Sequence, residues 1–401
     1  MQGPLKIVFI VLLISLTVNL STFAQIETKD TLSKPLIRYG SKGFELSSAD
    51  ENYLMHIEWR GQFRIAYPTD TDPITLNDFE GDKVHMYINR ARMKVGGHSF
   101  KPWIKYYLEY ELAGSYLLDF RLMIEKYPFL KIKVGQWKVQ YNRERIISSG
   151  KQQTAERSIL TRQFTIDRQQ GISLFGHLKG EGIADFNYWL STLMGTGRGN
   201  ESNDDHHLMY MMRLQWNFMG QELKFQSSDL NYHEKFAAII AIGLVTNQSQ
   251  YTRFSSNGGG HLEGFTESNP GQYRINQSMI ETAGMYKGFS WQQELHWKQI
   301  NDLINTQITT LTGNLVQFGY FPHYAWSKFP KPLEMYTRYA FYIPNLELND
   351  ELRQEFTFGF NWFINGHRNK FTIETSYLEN TQDTEFQHSG FRYRLQWDIS
   401  F

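Results

Sequence analysis

The sequence predicts an all-β protein, a transmembrane antiparallel β-barrel of about 16 strands, and three observations carry the prediction. The stretch 391–401 alternates strictly, with Phe391, Tyr393, Leu395, Trp397, Ile399 and Phe401 on one face of a strand and Arg392, Arg394, Gln396, Asp398 and Ser400 on the other. Aromatic residues make up 15% of the chain, a surplus that girdles at two membrane interfaces require. Beyond the N-terminus no apolar run is long enough to cross a bilayer as a helix. A chain that spans lipid with strands must close them into a barrel, because only closure pairs every backbone group. A soluble sandwich would turn such a face inward and would seldom finish on a bare aromatic.

At the N-terminus, Met1–Ala24 reads as a cleavable secretory signal peptide: Lys6 precedes an apolar stretch 7–18, and Thr22-Phe23-Ala24 offers a small-residue cleavage site before Gln25. Residues 25–42 contain Pro35 and Gly40, lack clear periodicity, and read as a short periplasmic lead-in, which places the barrel domain at 43–401. The absence of cysteine excludes disulfide stapling and metal-thiolate chemistry in an exported chain. Basic and acidic residues balance at 41 each, so nothing in the composition suggests a nucleic-acid surface, and any electrostatic function must come from where charges are placed. At ~10 residues per spanning strand plus turns and unequal loops, the mature chain holds about sixteen strands and no separate plug domain.

The first strand, Met55–Tyr67, puts Ile57, Trp59, Phe63 and Ile65 on one face and His56, Glu58, Arg60, Gln62 and Arg64 on the other, a face too charged for a protein core. After an acidic loop, Val84–Gly97 aligns Arg90, Arg92 and Lys94, and Trp103–Leu112 aligns Lys105, Glu109 and Glu111. Tyr116–Glu125 sets Leu118, Phe120, Leu122 and Ile124 outward with Asp119, Arg121 and Glu125 inward, and 129–139 sets Lys131 and Lys133 inward. Tyr141–Thr165 has no alternation, is rich in arginine and is too long for a turn; it is the candidate for a loop folded into the lumen. Strands then follow at Gly171–Leu178, Ile183–Met194, His207–Phe218, Phe236–Thr246, Tyr273–Met285, Phe289–Lys298, Leu315–Phe321, Leu333–Tyr342, Leu352–Ile364 and Phe371–Leu378, before the closing stretch. Gly195–Asp205 and Ser255–Gln272 read as long extracellular loops, and Asn365-Gly366 as a tight hairpin turn at the opposite end.

No nucleotide-binding glycine pattern, zinc-protease helix or nucleophile elbow occurs, so no enzyme, cofactor or metal is expected. His206 and His207 beside Asp204 and Asp205 read as a solvated segment, since neighbours on a strand point to opposite faces. The basic inward positions Arg60, Arg90, Arg92, Lys94, Lys105, Lys131 and Lys133 all come from the first third of the chain and would form one wall of a barrel. A row of like charges in a narrow aqueous bore favours anions. The competing reading is that these cations pair with Glu58, Glu109 and Asp119 and only stiffen the interior.

VGQWKVQYNRERIISSG (Val134–Gly150), followed by AERS (Ala155–Ser158), resembles the most characteristic block of the phosphate-selective porin family, porins O and P. INRARMKVGG (Ile88–Gly97), LEMYTRYAFY (Leu333–Tyr342), FGFNWFINGH (Phe358–His367) and FRYRLQWDISF at the C-terminus are similar to family blocks in the same order, over about residues 43–401. The resemblance implies a homotrimeric sixteen-stranded barrel in the outer membrane of a Gram-negative cell, with a constriction that holds a phosphate-like small anion. By motif position it implies Arg60, Arg90, Lys105, Arg145, Ser148 and Ser149 as anion-binding groups and Asp119 as a carboxylate near the anion, with Arg92, Lys94, Lys131 and Lys133 as a basic ladder. Guanidinium and hydroxyl donors can replace the water shell of phosphate. Asn89 stands where the family's phosphate binders often carry the first of two arginines, and the stretch after Tyr320 offers only Lys328 and Lys331. The closing strand is similar to the C-terminal signature of outer-membrane barrels, which implies that the assembly machinery reads Phe401. The expected function is a passive anion-preferring pore for phosphate or pyrophosphate. A general or sugar-conducting porin is the first alternative, ahead of a lumenal enzyme or a soluble secreted β protein.

Overall fold

A computed structural model describes residues 36–40, 42–70, 82–255, 259–265, 268–347, 352–381 and 388–401. Sixteen strands form a closed antiparallel ring: β3 (Leu54–Tyr67), β4 (His85–His98), β5 (Ile104–Glu111), β6 (Tyr116–Tyr127), β7 (Leu130–Lys138), β8 (Arg168–Lys179), β9 (Asp185–Leu193), β10 (Met209–Trp216), β11 (Ala237–Ser249), β12 (Tyr273–Tyr286), β13 (Phe289–Asp302), β14 (Ile308–Tyr320), β15 (Leu333–Ile343), β16 (Leu352–Asn365), β17 (Asn369–Thr381) and β18 (His388–Ser400). Each pairs with its sequence neighbours, and β18 closes on β3 in a register running from Tyr393↔Tyr67 to Ser400↔Arg60. The Phe401 main chain adds two hydrogen bonds to Trp59, at 2.8 and 3.0 Å, while its ring stays half exposed on the outer face.

The alternation sorts side chains as expected. Arg392, Arg394, Gln396 and Asp398 are buried inside, at 2% exposure or less, while Phe391, Tyr393 and Leu395 stand outside. Among the described residues no helix is long and apolar enough to cross a membrane. The predicted signal peptide and most of the lead-in lie outside the described residues, but residues 36–47 are not unpatterned chain. They form a hairpin of β1 (Leu36–Gly40) and β2 (Gly43–Ser47), with β2 paired to β3 at Phe44↔Ile57 through Ser47↔Leu54, next to where β18 ends.

Two further expectations need correction. A register shift between Glu109 and Tyr110 places Leu118 in a bulge, where it is 2% exposed rather than lipid-facing. β14 begins at Ile308, seven residues before the predicted start, because its outward positions there are Thr310, Thr312 and Asn314 and its inward ones Leu311, Gly313 and Leu315, the reverse of the usual pattern. Residues 217–236, at the end of the barrel that also carries the Asn365-Gly366 turn, form an irregular segment with Leu223, Ser228 and Asp229 buried. This segment reaches the inward loop, since Lys224 and Gln226 carbonyls accept from Arg143 at 2.6 and 3.2 Å and Ser227 N–H donates to the Lys151 carbonyl at 3.2 Å.

Candidate functional site

The loop between β7 and β8, residues 139–167, enters the lumen as the sequence suggests and carries α1 (Arg143–Ile146), a 3-10 turn at Ser149–Lys151 and α2 (Ile159–Phe164). Two kinds of contact hold it to the wall formed by the second half of the chain. Ile159, Leu160, Phe164 and Ile166 bury against Ile275, Met279, Ile300, Leu311 and Leu315 in one apolar cluster, each fully buried side chain contributing ~1.5–3 kcal/mol. Inward carboxylates then meet loop N–H groups that have no strand partner: Glu281 accepts from Arg143 N at 3.1 Å, Glu294 from Glu144 N at 2.5 Å and Asn142 Nδ2 at 2.9 Å, Glu374 from Ala155 N at 2.9 Å, and Glu355 from Ile159 N at 2.9 Å. Glu334 accepts from Gln153 Nε2 at 2.8 Å. The buried charges are themselves matched, Arg213 gripping Glu281 through both nitrogens at 2.8 and 2.9 Å, and Arg338 lying against Glu355 and Glu144. Sequence reading did not assign this acidic wall, because its carboxylates are spread singly over β12, β13, β15, β16 and β17.

With its acids committed to the loop, the far wall leaves the bore to the basic wall. Two cavities lie there, one of about 670 Å³ and one of about 160 Å³. They share Arg92, Lys138 and Arg168, which mark the narrowing between them. Arg60, Lys94, Lys105, Asp119 and Ser148 line the larger cavity; Arg90, Arg145 and Ser149 line the smaller. Lys131 and Lys133 face inward but border neither: Lys133 Nζ donates to Gln140 Oε1 at 2.8 Å and lies over the Trp137 and Phe175 rings, and Lys131 lies over Phe175.

Most predicted cations are paired. Arg60 meets Asp398 at 3.1 Å and donates to Ser148 Oγ at 2.9 Å, Arg90 meets Glu156 at 2.7 Å, and Arg92 meets Glu109 and Glu111 at 2.8 and 2.7 Å. Lys94 pairs with Glu58, Lys105 with Glu125, and Arg145 with Asp167, at 2.5, 2.7 and 2.5 Å. Gly150 permits the Arg60 approach, since a Cβ there would fall on the guanidinium. Burial alone would raise the carboxyls of Glu156 and Asp167 in the loop. The guanidiniums of Arg90, Arg64 and Arg157 instead hold Glu156 well below the usual carboxylate range, and those of Arg145 and Arg168 hold Asp167 at about 2.

Pairing does not cancel the charge. Fourteen lysines and arginines against six carboxylates line the two cavities, and adding Glu156 and Asp398 from behind the wall still leaves an excess of six cations in a chain whose total is zero. Lys138 stands out, because among the described residues its ammonium has no carboxylate or hydrogen-bond partner, although it borders both cavities. Its register partner is Arg168, which meets Asp119 at 2.6 Å. Two cations directly opposite on neighbouring strands oppose folding, so their retention at the narrowing points to use. Lys138, Arg168 and Arg198 were not singled out from sequence, whereas Arg157 falls among the arginines of the stretch 141–165 read as the inward loop. Lys138 lies within the Val134–Gly150 block, so the family-like motif held the signal. Arg168 precedes the predicted start of its strand.

Asp205, His206 and His207 lie in the loop before β10 rather than on it, and the two rings are 4.0 Å apart, so the opposite-faces argument does not apply to them. They lie near one another, with His207 Nδ1 at 2.8 Å from Asp205 Oδ2.

The barrel resembles solved structures at identities that speak to fold alone. The outer membrane channel DcaP of Acinetobacter baumannii superposes with a TM-score of 0.55 at 12% identity, over 88% of this chain and 99% of that one. An anion-selective porin from Comamonas acidovorans gives 0.56 at 10% identity, over 86% and 99%. OmpT, an outer membrane protein of Vibrio cholerae, gives 0.54 at 10%, over 87% and 98%. No curated protein sequence matches the chain. The family model for phosphate-selective porin O and P matches residues 60–399, from the Arg60 that meets Asp398 to the penultimate residue of β18, and the chain therefore belongs to that family of outer-membrane porins.

Proposed function

We propose that this porin is a passive, anion-preferring channel, exported through its N-terminal signal peptide and working as a homotrimer, with phosphate or pyrophosphate as its leading solute. The observation that carries the reading is the concentration of positive charge along the bore of a chain with no net charge. A bore with a standing positive potential raises the local anion concentration and excludes cations. An anion entering the larger cavity exchanges water for N–H donors of Arg60 and Lys105 and for the Ser148 hydroxyl. It passes Arg92, Lys138 and Arg168 at the narrowing, and meets Arg90, Arg145 and Ser149 on the other side. Ion-paired arginines still serve, since a guanidinium carries five N–H donors and Arg60 commits only two of them to Asp398 and Ser148. Ser149 Oγ is buried without a partner beside the smaller cavity, a hydroxyl free to donate to an oxyanion. Asp119, held between Arg121 and Arg168, tempers the field so that an anion can leave. Lys94 extends the basic wall into the larger cavity, and Lys131 and Lys133 continue the basic ladder on β7.

The test is electrical. Single channels in a KCl gradient give a reversal potential of anion sign, and added phosphate reduces the chloride current. Ser148→Ala with Ser149→Ala weakens that block by about 1 kcal/mol or more, the scale of lost hydrogen bonds to a charged group. Anion preference without phosphate block keeps the channel and discards the solute. A reversal potential near zero gives the general-porin reading its place.

A further inference from the structure

The loop between β9 and β10 carries three side chains that border neither cavity of the bore, Asp205, His206 and His207. It lies at the end of the barrel opposite the Asn365-Gly366 turn, the end at which the inward loop leaves β7. Each of the three residues presents one ligand atom, and these atoms all lie within 4.8 Å of one another. Among the described residues no other three His, Asp or Glu side chains bring ligand atoms that close. Elsewhere a histidine meets a single carboxylate, as in His177–Asp185 at 2.7 Å and His233–Asp229 at 2.5 Å. Here a second imidazole stands against the first, with ring centroids 4.0 Å apart.

The carboxylate of the group is held in place. Asp205 Oδ1 accepts from the His207 N–H at 2.6 Å, and Oδ2 lies 2.8 Å from His207 Nδ1. Gly271, in the loop before β12, packs against Oδ2 so closely that a Cβ there would strike it. His206 is exposed, so its ring can turn toward the other two and solvent reaches it. A second observation points to a cation. On the preceding residue, Asp204 Oδ2 accepts from Ser249 Oγ at 2.9 Å and from the Gln250 N–H at 2.5 Å, but Oδ1 is buried with no hydrogen-bond partner. A carboxylate oxygen buried in that way is costly unless positive charge stands nearby.

We propose that Asp205, His206 and His207 bind a zinc ion at this end of the barrel. Two imidazole nitrogens and one carboxylate oxygen form a set that zinc takes with water as its fourth ligand. Copper(II) and nickel(II) share that preference for imidazole, whereas calcium and magnesium, which take oxygen ligands, do not. Zinc bonds of ~2.0–2.2 Å arranged tetrahedrally put ligand atoms ~3.3 Å apart. That separation falls between the 2.8 Å of the Asp205–His207 pair and the 4.8 Å limit of the group, so turning the exposed His206 ring completes the set. Zinc replaces the proton between Asp205 Oδ2 and His207 Nδ1, which passes through water to Nε2 and leaves the imidazole neutral. The hydrogen bond from the His207 N–H to Asp205 Oδ1 orients the carboxylate while Oδ2 meets the metal.

The test titrates zinc chloride by calorimetry into the untagged protein, isolated from outer membranes in detergent and stripped with EDTA. One zinc per chain is expected, bound in the micromolar range. His206→Ala and His207→Ala each weaken it about tenfold or more, while His85→Ala on β4 leaves it unchanged. Heat-modifiable mobility on gels reports that each variant is folded. In the unaltered chain, zinc is expected to protect His206 and His207, but not His85, from carbethoxylation mapped by mass spectrometry, a readout that needs no variant. Calcium chloride in place of zinc is expected to give neither heat nor protection. Equal zinc affinity in the unaltered chain and both loop variants overturns the proposal, as does the lack of binding at millimolar zinc. Carbethoxylation of His206 and His207 at the same rate with and without zinc, or calcium binding as tight as zinc binding, overturns it too.

Discussion

If Lys138 supplies the uncompensated charge at the narrowing, Lys138→Glu changes the charge met by a passing ion by two units at the point where both cavities meet. A unit charge ~4 Å away contributes ~1 kcal/mol at the dielectric of water and ~4 kcal/mol at the value typical of a protein surface. Taking the lower figure, and halving it for salt that screens over ~8 Å, Lys138→Glu disfavours an anion by ~1 kcal/mol and favours a cation by the same amount. The anion-to-cation ratio then falls about 30-fold, enough to turn a tenfold anion preference into a cation preference. Lys138→Ala removes half of the change and gives about fivefold. The new carboxylate lies opposite Arg168, so the substitution introduces no unpaired buried acid. The assay is the reversal potential of purified channels in planar bilayers under a KCl gradient, with Lys179→Glu, an exposed residue at the end of β8 that borders neither cavity, as control. Equal shifts from Lys138→Glu and Lys179→Glu, or no shift from the former, would refute the reasoning.

Three further outcomes are expected. Glu294→Ala with Glu355→Ala removes acceptors for Asn142 Nδ2 and for the Glu144 and Ile159 N–H groups, each left buried at a cost of ~1–3 kcal/mol; the loop loosens, and single-channel conductance and open-channel noise both rise. Deleting Phe401 removes two main-chain bonds to Trp59 and the aromatic that the assembly machinery is expected to read, so folded protein in the outer membrane falls while synthesis, measured by pulse labelling, does not. Folding lowers the carboxyl of Asp167 from 3.8 to about 2 and that of Asp70 equally, so the stability they contribute is fully present above pH 3.8 and is lost as pH falls through about 2. Channel noise recorded between pH 7 and pH 4 should therefore stay flat, with loosening only below pH 3.

Much of the fold was legible because strand alternation is a local signal with a period of two, and a residue's face follows from its position alone. All sixteen ring strands were found, and the only strand start badly misplaced was β14, where outward polar residues hide the period. Leu118 was misassigned because a bulge adds one residue and shifts the count. The basic face of β3–β5 and the inward loop were legible for the same local reason, and all seven candidate anion-binding and constriction residues border one of the two cavities.

The sequence by itself determined roughly how many strands the ring holds, the faces that most of their residues present, the closing strand and the stretch that enters the lumen. Only the tertiary structure decided which charges remain free. Arg60 finds Asp398 338 residues away, Arg213 finds Glu281, and the loop's N–H groups find five glutamates on strands across the bore. Composition counts 41 cations and 41 anions and cannot say that the anions are used against the loop while the cations line the path. Compensation depends on which residues closure of the ring and folding of the loop bring within ~4 Å, and separations of that kind are set by the whole barrel rather than by any stretch of chain.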